Sequence, residues 1–104
     1  MTTASFFKEN GNFCRFRISG HSGYGTEGND IVCAAVSAMA ILTINNITDS
    51  FGIPAKVKTD EEGAFMELVL ETADERGYAL IAGLERELSV LATDYPKFVR
   101  VNVK

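Results

Sequence analysis

His21 is the single histidine of this chain, and Cys33 is one of its two cysteines. A helix start and a neighbouring imidazole are the surroundings that turn a cysteine into a nucleophilic thiolate near neutral pH. The sequence offers both. Asp30 is a favourable N-cap, so Cys33 falls in the first turn of the helix that follows, beside amides with no intrahelical partner and the positive end of the helix dipole. The loop between His21 and Cys33 is long enough to fold back and bring imidazole and sulfur together. His21 could then act as general base or as an imidazolium partner. Asp30 could orient it as the third member of a triad, although the carboxylate opposes thiolate formation unless the imidazole is protonated beside it. The plainer alternatives are that Cys33 fills the core, His21 packs or caps, and Asp30 serves the helix alone.

That loop carries Gly20, Gly23, Gly25 and Gly28, a composition that supports neither helix nor strand. Its glycines permit tight turns, or let a loop open to admit an extended peptide and close over it. Gly20, Ser22, Gly23, Gly25 and Gly28 are therefore candidate peptide contacts. Few groups in the loop look able to fix it. Tyr24 either packs on an apolar substrate side chain or is an ordinary loop aromatic. Ser37 lies one helical turn beyond Cys33, where it either bonds back to a helix carbonyl or joins the site. Gly23-Tyr24-Gly25-Thr26-Glu27-Gly28 also matches the dinucleotide pattern G-x-G-x-x-G. Asp49, about twenty residues on, falls at the end of a predicted helix and not at a strand tip, and Asp30 would repel phosphate, so the match is rejected. No metal site is expected, since the Cys and His spacings of zinc sites are absent, and no cofactor is implied.

The elements that must position these residues can be read from periodicity. Thr3 to Lys8 and Asn12 to Ser19 flank the turn Glu9-Asn10-Gly11 and predict a hairpin, with Cys14, Phe16 and Ile18 on the core face and Phe13, Arg15 and Arg17 opposite. Cys14 is thus expected to be a buried small hydrophobe. A helix from Ile31 to about Thr48 carries two apolar stripes: Val32, Ala35, Val36, Met39 and Leu42, and Ile31, Ala34, Ala38, Ile41 and Ile44. One sheet cannot cover both, so another helix or a second subunit is required. A second hairpin surrounds Asp60-Glu61-Glu62-Gly63. Thr72 opens a predicted capping box for a second helix, whose stripe is Ile81, Leu84, Leu88, Leu91 and Tyr95. Phe98 to Val103 makes a last strand. The order ββαββαβ predicts an α+β two-layer sandwich, a mostly antiparallel sheet with two helices on one face.

With 104 residues, 46% hydrophobic and 23% charged, residues 1–104 are expected to form a single domain that needs no disulfide. Ten Lys and Arg against fourteen Asp and Glu give a net charge of −4 and a pI near 4.9. That balance gives general phosphate-backbone affinity no electrostatic basis, so direct nucleic-acid binding is not expected. The apolar stretch from Ile31 is interrupted by Ser37, Thr43, Asn45 and Asn46, which argues against a membrane span. The N-terminus lacks a basic region followed by an apolar one, and a cytoplasmic location is expected.

Gly20-His21-Ser22, a glycine-rich loop, and Gly28-Asn29-Asp30-Ile31-Val32-Cys33-Ala34-Ala35-Val36-Ser37 together resemble the signature of the bacterial ribosomal-processing cysteine proteases, the Prp family. Ser22 stands where the family often has Ala. The resemblance implies a cysteine endopeptidase that removes an N-terminal extension from large-subunit ribosomal protein number twenty-seven, cutting after an aromatic residue. It assigns Cys33 as nucleophile, His21 as general base and Asp30 as their support, and it implies a homodimer. Backbone amides at the helix start near Cys33 are the expected oxyanion holders. The alternative is a non-catalytic, ribosome-associated binding module that uses the same loop and groove with an inert Cys33.

Overall fold

The computed structural model describes residues 1–26 and 28–104. The chain opens with β1 (Thr2–Glu9) and β2 (Asn12–Ser19). Asn10 and Gly11 both take positive φ, 54° and 81°, between them. This is the two-residue turn whose twist matches paired strands. Helix α1 (Ile31–Asn45) continues into a wider π-type turn, Asn46–Ser50. The second hairpin is β3 (Ala55–Asp60) and β4 (Phe65–Leu70), followed by α2 (Glu75–Asp94) and β5 (Val99–Val103).

The strands form one sheet in the order β3-β4-β2-β1-β5. All neighbours are antiparallel except β1 and β5, which run parallel because α2 carries the chain back across the sheet. The expected α+β sandwich is therefore present, with a mixed sheet. Cross-strand rows place Phe6, Phe16 and Leu68 side by side, and next to them Ala4, Ile18 and Met66. These side chains meet Val32, Val36, Ala40 and Ile44 of α1 and Ile81, Leu84 and Leu88 of α2 in the core.

Four local expectations need correction. Cys14 is the extra residue of a β-bulge: Phe7 pairs with Arg15 and Lys8 with Phe13, which leaves Cys14 without a partner. The bulge reverses the alternation, so Phe13 packs edge-on against Phe6, with centroids 6.0 Å apart. Cys14 is left half-buried, its thiol donating to the Phe7 carbonyl at 3.5 Å. The second helix is capped by Asp74 and not by Thr72, since the Asp74 carboxylate accepts from the Arg76 and Gly77 amides. On α1 the buried stripe is Val32, Val36, Ala40 and Ile44, while Ile31 and Leu42 remain 60% and 62% exposed. The helical stretch Ile31–Ser50 also has a mean hydropathy of 1.8 and is long and apolar enough to cross a membrane by composition, contrary to expectation. Here it packs on the sheet through its buried stripe.

Candidate active site

β2 ends at Ser19, and Gly20 turns the chain out of the sheet with φ at 87°. Any side chain here would bring its Cβ to 2.6 Å from the Met1 carbonyl oxygen, so the position requires glycine for conformation and for space. The start of β1 clamps the same point. Thr2 Oγ1 donates to the Gly20 carbonyl at 3.0 Å, and the Met1 backbone nitrogen donates to the His21 carbonyl at 2.8 Å. His21 is thereby held just past the end of the central strand β2, with its side chain exposed.

The helix start is built as the N-cap pattern requires. Asp30 Oδ1 accepts from the Val32 amide at 3.0 Å and the Cys33 amide at 2.9 Å. Its other oxygen accepts from Ser22 Oγ at 2.5 Å, and Ser22 Oγ in turn accepts from the Tyr24 amide at 3.2 Å. These bonds, with the Ser22 hydroxyl foremost and the Cys33 amide next, hold the Asp30 carboxyl down at about 2. The carboxylate therefore joins the loop to the helix start, accepting from the Ser22 hydroxyl on one side and the Val32 and Cys33 amides on the other. With Ser22 so placed, its backbone N–H donates to Cys33 Sγ at 3.3 Å.

Cys33 is half-buried, and its surroundings face a cavity of about 700 Å³ shared with His21, Gly20, Gly23, Gly25, Gly28, Asp30 and Ser37. Structure thus brings together most of the residues singled out from sequence. Two behave differently. Ser22 is 1% exposed, with its hydroxyl turned to Asp30, so it supports the loop from beneath. Tyr24 packs edge-on against Tyr95 and Phe98, at 5.3 and 5.2 Å, and anchors the loop to the end of α2. Ser22 and Tyr24 are the fixing groups that the loop was expected to lack. The amides of Val32 and Cys33 are taken by the Asp30 side chain and that of Ala34 by the Asp30 carbonyl. Those amides are accordingly not free for an oxyanion or for a phosphate.

The far wall of the cavity was not foreseen. It is the second hairpin, through Thr59, Asp60, Glu61, Ala64, Phe65 and Met66. It lies there because β4 pairs with β2, and the Gly20 amide donates to the Ala64 carbonyl at 2.9 Å. Alternation marks a strand but does not choose its neighbour, so no local signal gave this wall away. Ile18, Val36, Ile41 and Met66 make the cavity apolar, and Asp60 and Glu61 make its hairpin end acidic. Among the described residues, no group of three or more His, Cys, Asp and Glu is arranged to hold a metal ion.

A sulfur beside a helix start and the chain's one imidazole share an open apolar cleft at the ends of the strands, an arrangement suited to a small thiol hydrolase. The profile of the family described as "Cysteine protease Prp" matches residues 1–100. The chain belongs to that family and is a cysteine protease, which sets the binding-module alternative aside. It is 28% identical over 91 residues to the ribosomal processing cysteine protease Prp of Bacillus subtilis, covering 83% of this chain and 81% of that one. The Staphylococcus aureus protein of the same name is 24% identical over 88 residues, covering 84% and 83%. The fold matches the crystal structure of the S. aureus protease with a covalently linked product peptide at a TM-score of 0.93, 23% identity and full coverage of both chains. SMU.848 from Streptococcus mutans matches at 0.86, with 29% identity, 99% of this chain and 93% of that one.

Proposed function

We propose that this cysteine protease removes the N-terminal extension of large-subunit ribosomal protein number twenty-seven, cutting after an aromatic residue, with Cys33 as nucleophile and His21 as general base. The observation that carries the assignment is the placement of both on one cavity, with the Ser22 N–H donating to the sulfur. Cys33 Sγ attacks the scissile carbonyl carbon while His21 takes the thiol proton. The tetrahedral intermediate collapses, the C–N bond breaks, and His21 returns the proton to the leaving amine. Water then attacks the thioester with His21 as base, releasing the acid and restoring the thiol. The apolar walls suit an aromatic side chain before the cut, and the acidic hairpin end suits the basic sequence of a ribosomal protein.

Incubation with the unprocessed ribosomal protein of the same host should yield a product whose mass places the cut after an aromatic residue. The doubly charge-reversed variant Asp60→Lys/Glu61→Lys should raise KM by about tenfold with little change in kcat, because rim charges act mainly on encounter. An uncut precursor whose extension is confirmed by mass would overturn the substrate assignment. The work of such an enzyme lies in the cytoplasm, where ribosomes are assembled and a free thiol stays reduced.

The exposed face of α1, with Ile31, Ile41 and Leu42, supports a homodimer. Sedimentation equilibrium should give twice the 11.3 kDa chain mass, and Leu42→Glu should return it to one. A monomer at tens of micromolar wild-type chain would sink the dimer.

A further inference from the structure

The two helices cover one face of the sheet, and among the described residues no helix or strand covers the other. Its paired rows can be followed strand by strand. Lys56, Val69, Arg15 and Phe7 form one row; Lys58, Glu67, Arg17, Ser5 and Asn102 form the next; Asp60, Phe65, Ser19, Thr3 and Arg100 form the third. Lys104 reaches the same face, its ammonium 5.7 Å from the Phe7 ring centroid. Arg15, Arg17, Lys56, Lys58, Arg100 and Lys104 thus share one surface, although the chain as a whole carries only ten Lys and Arg against fourteen acids. The acidic sum hides a basic face. Its carboxylates are engaged or peripheral: Glu67 is ion-paired with Arg15, Asp60 caps its own turn through the Gly63 amide, and Glu9 sits at the hairpin tip.

In the first of these rows Phe7 lies under cations. The Arg15 guanidinium is 4.5 Å and that of Arg17 5.7 Å from its ring centroid. We propose that this open sheet face docks single-stranded RNA, its phosphates along the cation rows and its bases stacked on the Arg15, Arg17 and Phe7 planes. Strands about 4.8 Å apart, with same-face residues about 6.7 Å apart along each, give a grid of positive charge rather than a point. A planar aromatic flanked by guanidinium groups is the surface on which unpaired bases stack. An acidic protein would use the charges but has no need of the stacked planes, which is why RNA is favoured. The inference does not depend on the protease assignment, since none of the six cations lines the cavity, which this face meets only at Asp60 and Phe65.

Fluorescence anisotropy with a fluorescein-labelled, mixed-sequence RNA of about 16 nucleotides tests it, at salt between about 50 and 200 mM. The wild type should bind, and more weakly as salt rises. Arg17→Gln/Lys58→Gln/Arg100→Gln should bind at least about tenfold more weakly, with a log–log salt slope shallower by about 2. Lys8→Gln/Arg86→Gln/Lys97→Gln changes the net charge equally but elsewhere, and should bind as wild type does. If the first variant proves unfolded by circular dichroism, Lys56→Gln/Lys104→Gln at two exposed positions should show the same direction of loss. Absence of wild-type binding at about 50 mM salt, or an equal loss in the control, would overturn the proposal. So would polyglutamate displacing the RNA as well as unlabelled RNA does, which would give the face to an acidic protein.

Discussion

Replacing Cys33 with Ala should lower peptide cleavage by at least about 10³-fold while leaving the thermal melt close to that of the wild type, and His21→Ala should cost about 10²- to 10⁴-fold. The two losses should not add, because each removes the same covalent route. The expectation rests on contrast between the two thiols of this chain. Cys14 is a bulge residue whose thiol is pushed up, first by burial and then by the Glu9 carboxylate beside it. Cys33 instead receives the Ser22 N–H and faces an open cavity with His21 on its wall. Iodoacetamide near neutral pH should therefore label Cys33 well before Cys14, as read by peptide mass, and His21→Ala should slow that labelling. Cleavage that survives in Cys33→Ala, or equal labelling of both cysteines, would remove Cys33 from the reaction.

The contrast between Cys14 and Cys33 also marks where the sequence was legible. Asp30 could be read as an N-cap because that role depends only on a short polar side chain before an apolar run, and the structure places its carboxylate on the Val32 and Cys33 amides. The α2 stripe was equally plain, since Ile81, Leu84 and Leu88 follow helical spacing and are buried. Cys14 and Phe13 were exchanged because a bulge is a two-strand event: it needs Lys8 opposite Phe13 and Phe7 opposite Arg15, and β2 alone carries no mark of it. The cavity wall at Thr59 to Met66 was hidden for the same reason, as it depends on β4 choosing β2. Tyr24 shows a third limit. A loop aromatic has no periodicity, and only the return of the chain at Tyr95 and Phe98 decides that it anchors the loop.

Asp30 supports the site through the loop and the helix start and not through the imidazole. Bonded to Ser22 Oγ and to the Val32 and Cys33 amides, it ties the His21 segment to the helix start. It is thus a positioning residue, and its loss should act through geometry. Asp30→Ala should lower kcat by about 10²-fold, the usual cost of about 1 Å of misplacement. Asp30→Asn should recover part of that, since its amide oxygen can still accept from both helix amides, and Ser22→Ala should cost less than Asp30→Ala. The pH dependence separates positioning from simple packing. A carboxyl held at about 2 in the folded chain, against 3.8 ordinarily, stabilises the fold fully only well above 3.8 and loses that contribution as pH falls through 3.8 towards 2. The stability gap between wild type and Asp30→Asn, read by urea unfolding, should be constant from pH 7 to about 4.5 and close as the acid limb is descended. Asp74 is also held at about 2, by Arg76, but it is common to both proteins and cancels in the difference. A gap that does not change between pH 4 and 2 would mean that the charge on Asp30 is not what joins loop to helix, and cleavage by Asp30→Ala at the wild-type rate would mean that the junction does not position Cys33.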